Sequence, residues 1–291
     1  MTGGGEPGPL VRDISDTARW VATYRARETE RPDAVFRDPF ARRLAGERGE
    51  QIARAQPFSE QNAWAFVTRT YLFDRFLAED VAQGADLVLN LAAGLDARPY
   101  RMDLPASLRW VEVDLPGILD YKEPILAQAS PRCALERVRL DLSDVAARRA
   151  LFQRIGSSAS RVTVITEGLL IYLSADEVTA LAQDLAAVPA FRHWILDVVS
   201  PGLVKIMSQR GGQMIAAAGA PYKFGPTEGV AFFERTGWRA TAQASLFKTA
   251  GRIGRHRLLY KLLSLLPESE RGRDKRPWSA VCRMERTTRQ A

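Results

Sequence analysis

Acidic side chains recur in this chain at one kind of position, just after a short apolar run. Asp96 follows Leu87–Leu91 across the turn Ala92-Ala93-Gly94, and Asp114 closes the run 108–113. Asp141 closes 134–140, Glu167 follows Val162–Thr166, and Asp197 lies near the end of 193–199. Runs of this length and composition read as buried strands, and open α/β sheets bind ligands at the carboxyl ends of their strands. Carboxylates gathered at that edge disfavour a pyrophosphate, which calls for N–H groups and cations. No Gly-x-Gly-x-x-Gly is present, and Gly94 is the one glycine of the first turn. Asp114 lies about twenty residues beyond it, the offset at which a carboxylate reaches the ribose hydroxyls of a nucleotide cofactor.

The pattern suits a nucleoside that is cationic and free of phosphate. S-adenosyl-L-methionine is such a ligand. Its sulfonium, ammonium, two ribose hydroxyls and adenine amine can all be addressed by acids, and its carboxylate needs an arginine such as Arg69 or Arg98. Each residue also has a plainer reading: Asp96 with Arg98 as a surface pair, Asp114 as a helix cap, Arg69 as a solvated helix residue. Asp141 could likewise cap the following helix, although Ser143 is the better placed cap.

Two further runs, at 238–246 and 279–284, bring the predicted strands to seven, with helical patterns at 117–129, 145–155, 175–187 and around 232–235. Such alternation predicts an α/β fold, a mostly parallel, doubly wound sheet with right-handed crossovers. Three helices precede it. The first starts at Ser15 or Asp16 and ends at Arg31-Pro32, the second starts at Asp38-Pro39, and the third covers 62–81 with Arg69 between two turns of its buried face. They are expected to cover the carboxyl ends of the strands. Residues 201–225 read as a helical insertion after the fifth strand, with Met207, Met214, Tyr222 and Phe224 as an adaptable apolar lining for a second ligand. The expected organisation is a disordered tail over 1–14 and a single domain over 15–291. Within it, 15–84 is the helical cover, 85–200 the cofactor-binding half, and 201–291 the acceptor-side insertion with the last strands.

The 291 residues, 46% apolar and 26% charged, suffice for a large core without staples. Cys133 and Cys282 stand far apart and read as structural thiols in a cytoplasmic protein, and two histidines, His193 and His256, supply no metal site. No apolar run is long enough to span a membrane. The net charge of +7 owes much to Arg252, Arg255, Arg257, Lys261, Arg271, Arg273, Lys275 and Arg276. That permits a nucleic-acid partner without specifying one, and nothing in the sequence specifies an oligomeric state.

Five ordered blocks cover nearly the whole chain: Ser15-Asp16-Thr17-Ala18, Arg37-Asp38-Pro39-Phe40-Ala41, Asn90-Leu-Ala-Ala-Gly-Leu-Asp-Ala-Arg98, Val113-Asp114-Leu-Pro116 with Lys122, and Thr166-Glu167-Gly-Leu-Leu-Ile-Tyr172-Leu. Together they resemble the leucine carboxyl methyltransferase-like family of S-adenosylmethionine-dependent methyltransferases, in its bacterial branch. The resemblance implies a seven-stranded class I, Rossmann-like sheet with extra N-terminal helices, and S-adenosyl-L-methionine as cofactor. It implies that Arg69 holds the methionine carboxylate and that Ala93 and Gly94 turn beneath the methionine moiety, with Asp96 and Arg98 beside them. Asp114, followed by Leu115, would take the ribose, Asp141 and Leu142 the adenine, and Glu167 would lie at the amino-acid end. The sequence departs from the family at Ala92, where glycine is usual, and at Ala97, where threonine is frequent. A methyl group at Ala92 would crowd the cofactor unless the local φ is negative.

The implied reaction is an in-line displacement at a sulfonium, with the acceptor a small-molecule carboxylate or hydroxyl. A carboxylate is already ionised and needs no base, whereas a phenol or alcohol needs one of Glu167, Asp197 or His193. Glu167 and Tyr172 are the expected catalytic groups, Tyr172 as a contact to the acceptor. One rival is an RNA or protein methyltransferase using the basic C-terminal region. Without an Asn-Pro-Pro-Tyr-like motif or an RNA-binding module, no stable nucleic-acid partner is expected. Another is a non-catalytic cofactor-binding homologue. Leucines nearly encircle residues 254–266, which are expected to pack on the sheet, with a membrane- or partner-binding helix as the alternative.

Overall fold

Every predicted strand forms, and the three predicted N-terminal helices precede them. The computed structural model describes residues 14–55, 59–210, 212–217, 219–256, 258–266 and 276–287. The predicted tail up to residue 13, the side chains of Ser15 and Met214, Ala218, Arg257, Arg271, Arg273 and Lys275 lie outside the described residues. The first elements among the described residues are α1 (Ile14–Thr29), α2 (Ala41–Ala55) and α3 (Ser59–Ala82). Strands and helices then alternate: β1 (Leu87–Leu91), α4 (Arg98–Arg101), β2 (Arg109–Asp114), α5 (Pro116–Leu126), β3 (Ala134–Arg139), α6 (Val145–Ser158), β4 (Val162–Thr166), α7 (Ala175–Ala186) and β5 (Phe191–Val199). After the insertion helices α8 (Pro201–Arg210) and α9 (Gly212–Ala217) come β6 (Trp238–Ser245), α10 (Leu246–Arg252), α11 (Leu258–Leu263) and β7 (Ser279–Arg286).

The sheet order is β3-β2-β1-β4-β5-β7-β6. Leu89 of β1 sits opposite Val111 of β2 on one side and Val164 of β4 on the other, both in parallel register. Winding reverses between β1 and β4, and that reversal opens a crevice at their carboxyl ends. Both strands are buried along their whole length, which is why they read as unbroken apolar runs rather than alternating ones. β7 runs antiparallel between β5 and β6, with Leu196 opposite Cys282.

One face of the sheet packs on α6 and α7 through Leu151, Phe152, Ile155, Val178 and Leu181, together with Trp194 and Trp238. The indole N–H groups of those tryptophans donate to Thr166 Oγ1 and the Ala182 carbonyl, each at 2.9 Å, so neither polar tip is stranded. The other face takes Leu72, Phe73, Phe76 and Leu77 of α3 against Val88, Ile165, Ile195 and Val281. Each such side chain contributes about 1.5–3 kcal/mol on burial. α3 therefore does more than cover the strand ends. Its second half is sheet core, and that anchorage fixes where its first half stands at the edge.

Two expectations change. The cap of α6 is Asp144, whose side chain accepts the Ala147 N–H at 3.0 Å, and not Ser143. The turn after β3 is closed by Asp144 N–H on the Asp141 carbonyl, which leaves Ser143 one residue short of the helix. The leucines of 258–266 do not pack on the sheet; Leu258, Leu259, Leu262 and Leu265 are exposed. The sheet face they would need is already taken by α3 and by Leu246 of α10. Among the described residues no helix is long and apolar enough to cross a membrane, and Cys133 and Cys282 are buried free thiols.

Candidate active site

The turn after β1 is built from two residues with φ near 52°, Ala92 and Gly94. Ala92 is the only non-glycine residue with positive φ among the described residues, so the negative φ that would relieve crowding is not adopted. Asp96 accepts from Asn90 Nδ2 at 2.9 Å and from the Arg98 N–H at 2.8 Å, which holds the turn against the start of α4. Asp114 clamps the same turn from β2. Its two oxygens accept the Gly94 N–H at 2.6 Å and the Leu115 N–H at 2.7 Å. Burial raises the Asp114 carboxyl above its ordinary value, and these two N–H groups only partly oppose that.

A chain of partly buried, paired charges continues across the crevice. Arg69 of α3 pairs with Glu167 at 3.2 Å and approaches Asp197 at 3.5 Å. The other Glu167 oxygen lies 2.8 Å from Arg98, whose guanidinium also contacts Asp74 at 2.7 Å and Asp96 at 2.9 Å. Arg101 joins at Asp74, 2.6 Å away. Gly168 makes the close approach possible, since a Cβ there would stand 3.0 Å from an Arg69 nitrogen. Burial alone would raise Asp96, but Arg98, Lys122 and Arg101 outweigh it and hold that carboxyl at about 2. Asp197 goes the other way. Burial pushes it up against the pull of Arg69 and the Gly168 N–H, which donates to it at 2.7 Å. Four carboxylates (Asp74, Asp96, Glu167, Asp197) thus face three guanidiniums, an excess of one negative charge.

Arg69, Asp96, Arg98, Glu167 and Asp197 line one cavity of about 660 Å³, with Asp74 and Arg101 behind them. Of the residues singled out from the sequence, Arg69, Ala93, Gly94, Asp96, Arg98, Asp114, Leu115, Asp141, Leu142, Glu167 and Tyr172 reach it. Asp114 and Asp141 stand on the β2–β3 side. Asp141 is exposed and accepts the Ser143 N–H at 2.8 Å, which lowers its pKa. Arg69, Glu167, Asp197 and Tyr172 stand on the β4–β5 side. Apolar walls come from Trp20 and Phe66 of the helical cover and from Leu203, Met207 and Tyr222 of the insertion. The Tyr172 and Tyr222 rings lie 5.7 Å apart, and burial raises both phenols, so they are hydrogen-bond donors rather than bases.

Some expected residues stand elsewhere. His193 lies within β5 beside Asp80, at 3.1 Å, and does not border the cavity. Phe224 packs into the core on Phe232, with ring centroids 5.0 Å apart, instead of lining the cavity. Arg98 is spent on three carboxylates and organises the others. Asp74 and Arg101 escaped notice in the sequence. The available signal was the spacing of Arg98 and Arg101, two cations one turn apart that together demand an acid.

The volume lies in the range of small-ligand sites. The carboxylate excess fits a cationic nucleoside better than a dinucleotide, whose pyrophosphate calls for N–H groups and cations. The leucine carboxyl methyltransferase family model matches residues 18–186, spanning four of the five sequence blocks. A protein of Mycobacteroides abscessus described as "putative S-adenosyl-L-methionine-dependent methyltransferase" is 33% identical over 203 residues, 64% of this chain and 65% of that one. A protein of the same description from Mycolicibacterium paratuberculosis is 34% identical over 192 residues, 60% of this chain and 62% of that one. The chain thus spans less than two thirds of the length of these curated relatives. Among solved structures, a DUF574 family protein from Streptomyces avermitilis superposes with a TM-score of 0.54 at 14% identity, covering 92% of this chain and 97% of the other. That likeness bears out the fold, and the relatives bear out the cofactor expectation, S-adenosyl-L-methionine.

Proposed function

The chain belongs to the leucine carboxyl methyltransferase family, and from that premise we propose that it transfers a methyl group from S-adenosyl-L-methionine to an oxygen of a small molecule held in the central cavity. The observation that carries the choice of oxygen is the state of Glu167. Both of its carboxylate oxygens are paired with arginines, Arg69 and Arg98, so neither is turned toward an acceptor in the cavity. An acceptor that is ionised beforehand, a carboxylate, suits such a site. A hydroxyl acceptor would have to rely on Asp197, whose raised pKa is that of a better base than an ordinary carboxylate.

The residues divide the work by position. Asp114, fixed by two N–H groups, is set to take ribose hydroxyls, and Asp141 with Leu142 to border the base. The excess negative charge around Arg69 favours a cationic ligand over its neutral product, and Arg69 itself is set to meet the amino-acid carboxylate. S-adenosyl-L-methionine, held with its amino-acid end at Arg69 and its ribose at Asp114, would supply a methyl group already activated on a sulfonium. Tyr172 and Tyr222 are placed to donate hydrogen bonds to the acceptor, while Leu203, Met207 and Phe66 keep water away from it.

Calorimetry tests the cofactor site. Binding of S-adenosyl-L-methionine or its demethylated product is expected, weakened tenfold or more by Arg69→Ala or Asp114→Ala; no binding at millimolar cofactor would sink the proposal. A labelled-methyl assay on pooled carboxylic acids, phenols and RNA tests the acceptor. Asp197→Asn is expected to spare carboxylate methylation, and its loss of all turnover would point to a hydroxyl acceptor instead.

A further inference from the structure

The leucine-rich segment after α10 reverses the polarity of a water-facing helix. Across 258–266, Ser264 alone is buried, at 7% exposure, while six leucines and Tyr260 lie open, Leu258 at 75% and Leu265 at 79%. The segment is docked rather than loose. Ser264 sits so close to α10 that a Cβ on Gly251 would fall 2.1 Å from its Oγ. The rings of Phe247, His256 and Tyr260 pack behind it, with centroids 4.5 and 5.9 Å apart along that series. Beside it lies a second cavity of about 530 Å³ walled by Leu259, Tyr260, Glu28, Arg255 and Trp64, and Trp64 also lines the central cavity.

A contiguous apolar surface of this kind marks an interaction site. We propose that residues 258–266 form an interfacial anchor that seats this face of the protein in the headgroup region of a membrane carrying anionic lipids. Charge selects that occupant. Lys261 and Arg252 are exposed within and just before the segment, a combination that matches apolar insertion plus attraction to anionic headgroups. A second copy of the same face would bring these cations against themselves across a two-fold axis. α11 spans six residues, so it lies on the bilayer rather than crossing it. The anchor is independent of what the central cavity binds.

Co-sedimentation of the full chain with vesicles tests the anchor. Binding to phosphatidylglycerol–phosphatidylcholine vesicles is expected, and binding about tenfold weaker to phosphatidylcholine alone. The triple change Leu258→Ser, Leu262→Ser and Leu265→Ser should reduce binding at least tenfold with circular dichroism unchanged. The pair Lys261→Glu and Arg252→Glu should abolish the preference for anionic lipid. The proposal is overturned if the protein stays in the supernatant at millimolar lipid, or if the triple variant pellets as well as the parent. It is equally overturned if sedimentation velocity shows a dimer that the triple change dissociates.

Discussion

Replacing Ala92 by glycine tests the geometry of the first turn through the sign of a stability change. An alanine held at φ 52° carries a left-handed backbone conformation that costs an L-residue about 1–2 kcal/mol. Glycine removes that cost but gives the unfolded chain more freedom, worth about 0.4–1 kcal/mol against folding. The difference leaves Ala92→Gly more stable by about 1 kcal/mol, or about 2 °C in thermal midpoint for a chain of this size. At a negative φ the same change would only add chain entropy and would destabilise by about 0.4–1 kcal/mol. Differential scanning calorimetry of the two proteins decides between these. A lower midpoint for Ala92→Gly refutes the left-handed assignment. Ala92 borders the cavity, so removing its methyl is also expected to leave cofactor affinity equal or tighter.

Other perturbations follow from the buried charges. Asp96 is held at about 2 in the folded chain, so its contribution is fully present above its ordinary value near 4 and is lost as pH falls toward 2. That contribution is about 2 kcal/mol; urea unfolding between pH 5 and 2.5 should show a stability slope that Asp96→Asn flattens, and an unchanged slope refutes the assignment. Lys122 and Glu112 are both fully buried and 2.9 Å apart, with Arg137 also 2.9 Å from Glu112. Lys122→Met should cost about 3 kcal/mol, the low end for a broken buried pair because Arg137 stays; urea titration giving a loss under about 1 kcal/mol would refute it.

The strands were legible because burial on both faces leaves unbroken apolar runs such as Leu87–Leu91 and Val162–Thr166. Acids at their carboxyl ends then marked one edge, and the cavity lies there. What escaped depended on distant partners. Asp74 meets Arg98 across 24 positions, from another element. Phe224 looked like pocket lining because hydrophobicity does not say which side of an insertion an aromatic ring faces; Phe232 settles it. The leucines of 258–266 promised burial, but a periodic pattern does not reveal that α3 and Leu246 already occupy the sheet. The backbone sign at Ala92 was equally hidden, because alanine by itself prefers negative φ.

The position of β7 has a consequence for how the chain assembles. It is made last of the seven strands yet lies between β5 and β6, pairing His193 with Glu285 across 92 positions. During synthesis, β5 waits with one edge unpaired and β6 with no partner strand until 279–286 emerges to fill the place between them. Such edges invite pairing with another chain, and contacts this distant in sequence form slowly. Nascent or truncated chains ending before residue 279 would therefore be the species most in need of a chaperone.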